Sequence, residues 1–287
     1  MKSIHLVLTT LLLLVAGATA ACGDDAPTFR PPDAGAPQAG PEHIHGLGVN
    51  PADGSLMVAT HSGLFKASPG SDRTARVEDR RQDTMGFTIV GPDRFLGSGH
   101  PDLRDDLPPL LGLIRSDDAG RTWEPVSLLG EADFHVLRTA GKRIYGVNSA
   151  DGKLLVSDDG GRTWAARTPG TALLDVAAAP GDPDHVVASG ETGLRVSRDA
   201  GETWRPQGKR LAGLLTWVGK DALYLVDARG RVHRSADGGA SWRKAGESGG
   251  APAAFASDGS DLYVALHTNE VKMSGDGGRT WRVRLAG

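Results

Sequence analysis

The chain has 287 residues, with 40 glycines, 17 prolines, 5% aromatic residues and a formal net charge of -3. That composition excludes a coiled-coil or helical-bundle protein and reads as a turn-rich all-β domain. No polybasic run stands out, which argues against a nucleic-acid partner.

The N-terminus reads as a targeting segment. Lys2 precedes a mostly apolar stretch from Ile4 to Val15, followed by the small residues Ala16, Gly17, Ala18, Thr19, Ala20 and Ala21. Residues 1–21 are expected to be a secretory signal peptide, too short for a stable span. Cys22 is the single cysteine of the chain and follows directly. Thr19-Ala20-Ala21-Cys22 resembles a bacterial lipobox, with Thr19 standing where leucine is usual. The resemblance implies lipidation of Cys22 and a membrane partner through the lipid. Cleavage after Ala18-Thr19-Ala20 is the alternative, and leaves a secreted protein with a free thiol. Residues 22–42, rich in Ala, Pro and Gly, cannot bury enough apolar surface to order themselves and are expected to be a tether.

From residue 43 to 287 the sequence repeats. Five eight-residue motifs recur: SDDAGRTW at 116–123, SDDGGRTW at 157–164, SRDAGETW at 197–204, SADGGASW at 235–242 and SGDGGRTW at 274–281. Their spacings are 157−116 = 41, 197−157 = 40, 235−197 = 38 and 274−235 = 39. A sustained period near forty marks a propeller or solenoid. In the third unit, Phe134 to Arg138, Arg143 to Val147, Leu154 to Ser157 and Thr163 to Arg167 read as four short strands, one propeller blade. Strands at Ile44 to Val49, Leu56 to Thr60 and Leu64 to Ala67, with a degenerate turn at Ser68-Pro69-Gly70-Ser71-Asp72, add a blade. The expected fold is therefore an all-β six-bladed propeller. Its last blade ends on an outer strand and its first begins on an inner one, so closure should rest on side-chain packing.

The motif has a structural explanation. Its Asp and Ser side chains can satisfy nearby backbone groups, its Gly permits positive φ, and its Trp packs into the blade. These turns resemble the Asp boxes, or bacterial neuraminidase repeats, of sialidases and related propellers. The resemblance covers residues 43–287. His43-Ile44-His45-Gly46-Leu47-Gly48 and Ser98-Gly99-His100-Pro101 are similar to segments of small bacterial lipoprotein propellers labelled glycosylhydrolase or exo-alpha-sialidase-like. Such a fold implies the boxes on one face and ligand on the other.

The repeat serves as a ruler for that second face. His61, His100 and His267 occupy equivalent places after the second strand of blades one, two and six, and Asn148 takes the place in blade three. His43, His45 and the pair Asp133 and His135 fall before or within first strands. Six of the nine histidines are thus expected on one face, as binding residues for a small molecule, glycan or protein. Clustered imidazoles also suit a transition metal, placed by this alignment on His61, His100 and His267. A longer loop, Pro101 to Leu110, adjoins His100.

Sialidase chemistry is disfavoured. It requires an arginine triad and a tyrosine nucleophile, whereas Tyr145, Tyr224 and Tyr263 share one internal strand position, as core residues do. Phe29-Arg30-Pro31-Pro32 lies in the tether. A two-carboxylate glycosidase would draw on Asp105, Asp106, Glu131, Asp133, Glu191 or Asp227. A protein-assembly propeller is the third reading. Lipidation is directly testable: in a bacterial host the wild-type protein should fractionate with membranes, and Cys22→Ser should move it to the soluble or secreted fraction. Equal fractionation of the two would remove the anchor.

Overall fold

A single blade exposes two broad sheet faces and has no way to bury either alone. The computed structural model, which describes residues 40–207 and 210–287, shows how this chain meets that constraint. The segment expected to be a signal peptide, Cys22 and most of the expected tether, including Phe29 to Pro32, lie outside the described residues.

The chain forms six antiparallel four-stranded sheets, each from consecutive strands in order from hub to rim. Blade one is β1 (Ile44–Val49), β2 (Leu56–Thr60), β3 (Gly63–Ala67) and β4 (Ala75–Arg76). Blade two is β5 (Asp83–Gly91), β6 (Arg94–His100), β7 (Leu113–Ser116) and β8 (Glu124–Ser127). Blade three is β9 (Phe134–Ala140), β10 (Arg143–Asn148), β11 (Leu154–Ser157) and β12 (Ala165–Arg167). Blade four is β13 (Leu173–Ala179), β14 (Asp182–Gly190), β15 (Gly193–Ser197) and β16 (Arg205–Gln207). Blade five is β17 (Gly213–Val218), β18 (Ala222–Asp227), β19 (Arg231–Ser235) and β20 (Arg243–Glu247). Blade six is β21 (Pro252–Asp258), β22 (Asp261–Leu266), β23 (Val271–Ser274) and β24 (Arg282–Leu285). The all-β six-bladed propeller is the fold that the repeat spacing implied.

The core is divided among the seams between blades. Met57 and Ala59 pack with Phe87 and Phe95 at the seam of blades one and two. Leu56 and Val58, their neighbours on β2, pack with Tyr263 and Ala265 of blade six. Alternate residues of one strand thus serve two seams, which is why β2 is apolar at nearly every position and buried throughout. Tyr145, Tyr224 and Tyr263 are all buried in these seams.

The repeated turn stitches each blade and wedges it against the one before. In blade three, Ser157 Oγ accepts from the Gly161 amide at 2.8 Å and donates to Asp159 Oδ1 at 2.9 Å. The other oxygen of Asp159 accepts from the Thr163 hydroxyl at 2.7 Å, and the Trp164 indole donates to the Gly161 carbonyl at 3.1 Å. These bonds hold Thr163 and Trp164 in the turn, so β12 starts at Ala165, later than the sequence implied. The carboxylate is thereby occupied within its own turn. Gly161 has φ 91°, and a Cβ there would lie 2.1 Å from Leu113 Cδ2 of blade two.

Among the described residues no strand is shared between the first and last blades, as expected, and the ring closes on side chains. Ile44 and Leu47 pack with Ala254, Val271 and Leu285. Arg284, on the outermost strand of blade six, donates to the Ser68 carbonyl at 2.8 Å and also to that of Ser71. It thus satisfies the degenerate turn of blade one. Ser157→Ala leaves the buried Gly161 amide without its acceptor and should cost about 1–3 kcal/mol in urea unfolding. Gly161→Ala should cost more than Ser157→Ala, because it adds positive-φ strain to a collision with Leu113. Unfolding midpoints matching the wild type would contradict this account of the turn.

Candidate functional site

The face opposite the repeated turns is shaped by a defect in the first strands. In five of the six, the register with the second strand slips near the start, leaving His45, Met85, His135, Leu174 and Ala253 as extra residues. β17 pairs without such a slip. A bulge re-aims the side chain it carries. These five residues line the central cavity, about 600 Å³, together with Leu214 of β17. Simple alternation along the strand, the sequence argument for pairing Asp133 with His135, is therefore replaced by a bulge that brings the imidazole to the channel.

Two carboxylates sit behind this ring, each between two imidazoles. Asp83 opens β5 and is 9% exposed. His61, just after β2, places Nδ1 2.8 Å from Asp83 Oδ2. His45 places Nε2 3.6 Å from Asp83 Oδ1. Both members of that second contact are buried without a hydrogen-bond partner. Burial lowers the pKa of His45 from 6.5; Asp83 opposes the shift, while His61, His135 and His43 add to it. His45 is thus a neutral base facing a carboxylate oxygen. Among the described residues, His45, His61 and Asp83 form the group whose ligand atoms all lie within 4.8 Å of one another. His43 stands at the rim, its ring centroid 6.2 Å from that of His61. It adopts φ 51°, and its amide donates to Asn269 Oδ1 at 3.1 Å across the seam with blade six.

The second cluster lies one seam on. Asp133, directly before β9 and 4% exposed, lies 2.9 Å from His135 Nε2 through Oδ2. The same oxygen accepts from the Ser149 hydroxyl at 2.7 Å and lies 3.8 Å from His100 Nε2. Asp133 Oδ1 is buried and unpartnered. Burial pushes the Asp133 carboxyl up, but the hydrogen bonds from His135 and Ser149 and the nearby imidazoles outweigh it and hold the pKa below the ordinary value. His100 Nδ1 lies 2.8 Å from the Pro109 carbonyl. A carbonyl only accepts, so Nδ1 carries a proton, and Nε2 faces Asp133. Asp83 and His100 are cross-strand partners, so the clusters adjoin.

The remaining sequence candidates are placed elsewhere or already engaged. His267 is exposed after β22, its amide donating to the Ala251 carbonyl at 3.1 Å. His61 lies against Asp83 and His100 stands nearer Asp133, and His61, His100 and His267 are not a group whose ligand atoms lie within 4.8 Å of one another, although the repeat aligned their places along the strands. Asp105 pairs with Arg80 at 2.5 Å, and buried Asp102 takes Arg104 at 2.6 Å and the Arg81 amide at 2.8 Å. The Pro101 to Leu110 loop is therefore braced by its own charges. Asp227 accepts from the Arg229 and Arg231 amides and from Arg231 Nε at 2.7 Å. Asp106, Glu131 and Glu191 are exposed. Asn148, the blade-three counterpart of the histidines, accepts from the Asp133 amide at 2.9 Å and is a structural hook. The sequence reading missed Asp83. In the structure Asp83 precedes the bulge residue Met85 by two, as Asp133 precedes His135 and His43 precedes His45.

No family model matches the chain. The dispase autolysis-inducing protein of Streptomyces mobaraensis is 34% identical over 102 residues, which is 35% of this chain and 27% of that protein. The chain therefore matches about a quarter of that relative's length. Among solved structures, the GH74 xyloglucanase of Xanthomonas campestris is similar at 20% identity and TM-score 0.56, over 85% of this chain and 45% of the enzyme. YCF48 from Cyanidioschyzon merolae is similar at 15% identity and TM-score 0.51, over 86% of each chain. These likenesses are of fold: glycoside hydrolases and other proteins share this propeller architecture with the chain.

Proposed function

We propose that this protein is an exported, envelope-anchored propeller of the sialidase-like, Asp-box type that binds a divalent transition metal ion through His45, His61 and Asp83. The observation that carries the reading is the pair His45 Nε2 and Asp83 Oδ1, buried, unpartnered and 3.6 Å apart. Two ligands each about 2.1 Å from a tetrahedral ion stand about 3.4 Å apart. An ion between them would satisfy both atoms at once, and rotation of the exposed His61 ring would add the third ligand. Two imidazoles and a carboxylate without thiolate suit zinc, iron(II) or copper(II), with positions left open toward the channel. Cys22 and the leader-like N-terminus support the envelope placement.

The glycosidase alternative draws on the GH74 neighbours, but the pattern of hydrogen bonds speaks against it. Asp105 and Asp227 are committed to arginines, and Asp133 is held ionised by His135 and Ser149. A glycosidase needs one carboxyl kept protonated as the acid.

Chelator-stripped protein carrying no affinity tag should bind zinc saturably in calorimetry and melt at higher temperature with it. His61→Ala and Asp83→Asn should each weaken binding by at least about tenfold, and His267→Ala should leave it unchanged. Affinity should fall as pH drops from about 7 to about 5, because protons compete for the imidazoles. Absence of zinc, copper or iron binding by the stripped protein would overturn the proposal.

A further inference from the structure

We infer that the central channel takes a small organic acid, its carboxylate held by Arg138 and its apolar body laid against the channel wall. The site lies beyond the metal ligands and does not require an ion.

The channel, about 600 Å³, has the volume of an ordinary small-molecule pocket. Its wall keeps apolar side chains bare. Five large hydrophobic side chains stand exposed among the described residues, and two of them, Val90 at 38% and Leu174 at 46%, line the channel. Leu174 is the bulge residue of β13, and Met85, Leu214 and Ala253 share the ring at the mouth with it. A ligand that removes this surface from water is favoured by the hydrophobic effect.

Among the described residues, Arg138 of β9 is the one lysine or arginine that lines the channel. A carboxylate behind it fixes its place. Arg138 Nη2 donates to Asp175 Oδ2 at 2.9 Å, and Nη1 donates to the Leu137 carbonyl at 3.0 Å. Asp175 directly follows Leu174 of the mouth ring, so the guanidinium is held just inside the mouth. Asp175 also accepts from the Leu215 and Val176 amides, each at 2.8 Å. The two partners differ in access: the Asp175 side chain is fully buried, whereas that of Arg138 is 28% exposed. A solute in the channel therefore meets the guanidinium and not the carboxylate. Arginine carries five N–H donors in a planar fork, and the bonds to Asp175 and Leu137 leave the others to a ligand. Such a fork matches a carboxylate. One guanidinium balances one negative charge, and the apolar wall disfavours a more highly charged ligand.

Octanoate is the probe, and octanamide is the same chain without the charge. Full-length protein in chelator should bind one equivalent of octanoate saturably in calorimetry, and octanamide at least about tenfold more weakly. Binding should persist in His61→Ala, which separates this site from the metal ligands. Trp217 lines the channel, whereas the other five tryptophans belong to the repeated turns. Octanoate should therefore change the tryptophan emission, and Trp217→Phe should abolish the change. Arg138→Gln alone would strand the buried Asp175 charge, so it is combined with Asp175→Asn. That double variant should bind octanoate at least about tenfold more weakly and octanamide as before. Should it fold poorly, Leu174→Ser, at an exposed position, should weaken both probes severalfold and keep their ratio. Equal affinity for the two probes, unsaturable uptake or no binding overturns the inference, whatever zinc does. Octanoate affinity unchanged in the folded double variant or in Leu174→Ser overturns it equally.

Discussion

Every feature of this molecule follows from the need of each blade to bury both sheet faces against its neighbours. The apolar core is accordingly distributed as one cluster at each seam rather than gathered at the centre. The hub is a channel, and the first strands that line it face each other across open space. Burial of apolar area supplies adhesion between blades, and the repeated turn supplies direction. A turn whose glycine presses on the preceding blade, as Gly161 does on Leu113, fixes which way the blades lean.

The polar groups of the mouth are a consequence of the same seams. Where two blades meet at the end opposite the turns, the start of one first strand lies beside the end of the previous blade's second strand. Asp83 meets His61 in this way and Asp133 meets His100. The surrounding apolar packing withdraws both carboxylates from water, which makes their unpartnered oxygens costly unless something binds them. Burial also keeps His45 a neutral base. The site is chemically distinct because the fold places polar atoms at the edge of a hydrophobic joint.

The sequence made the architecture legible because the Ser, Asp, Gly and Trp of the turn are each tied to a local bond, and their spacing counts blades directly. It also placed His45, His61, His100 and His135 on one face by strand position. Two things escaped it. Asp83 sits in a blade whose bulge residue is Met85 and not histidine, so nothing drew attention to the carboxylate before it. The separation of His267 from His61 and His100 depends on where side chains point around the ring, and strand alignment carries no such angular information. The bulges themselves leave no mark in the sequence, although they bring His45 and His135 to the channel.

The described chain enters the disc at β1, beside the channel, and leaves it at β24 on the rim. His43, the residue at that entrance, is hooked to Asn269 across the one seam that closes the ring. A pull on the N-terminal segment would therefore load the hub at this seam before it strained any outer strand. The ring would yield by hinging open between blades one and six, and the imidazoles of blade one would be the first site groups displaced. Tension at the entrance and the placement of the mouth's imidazoles are thereby opposed.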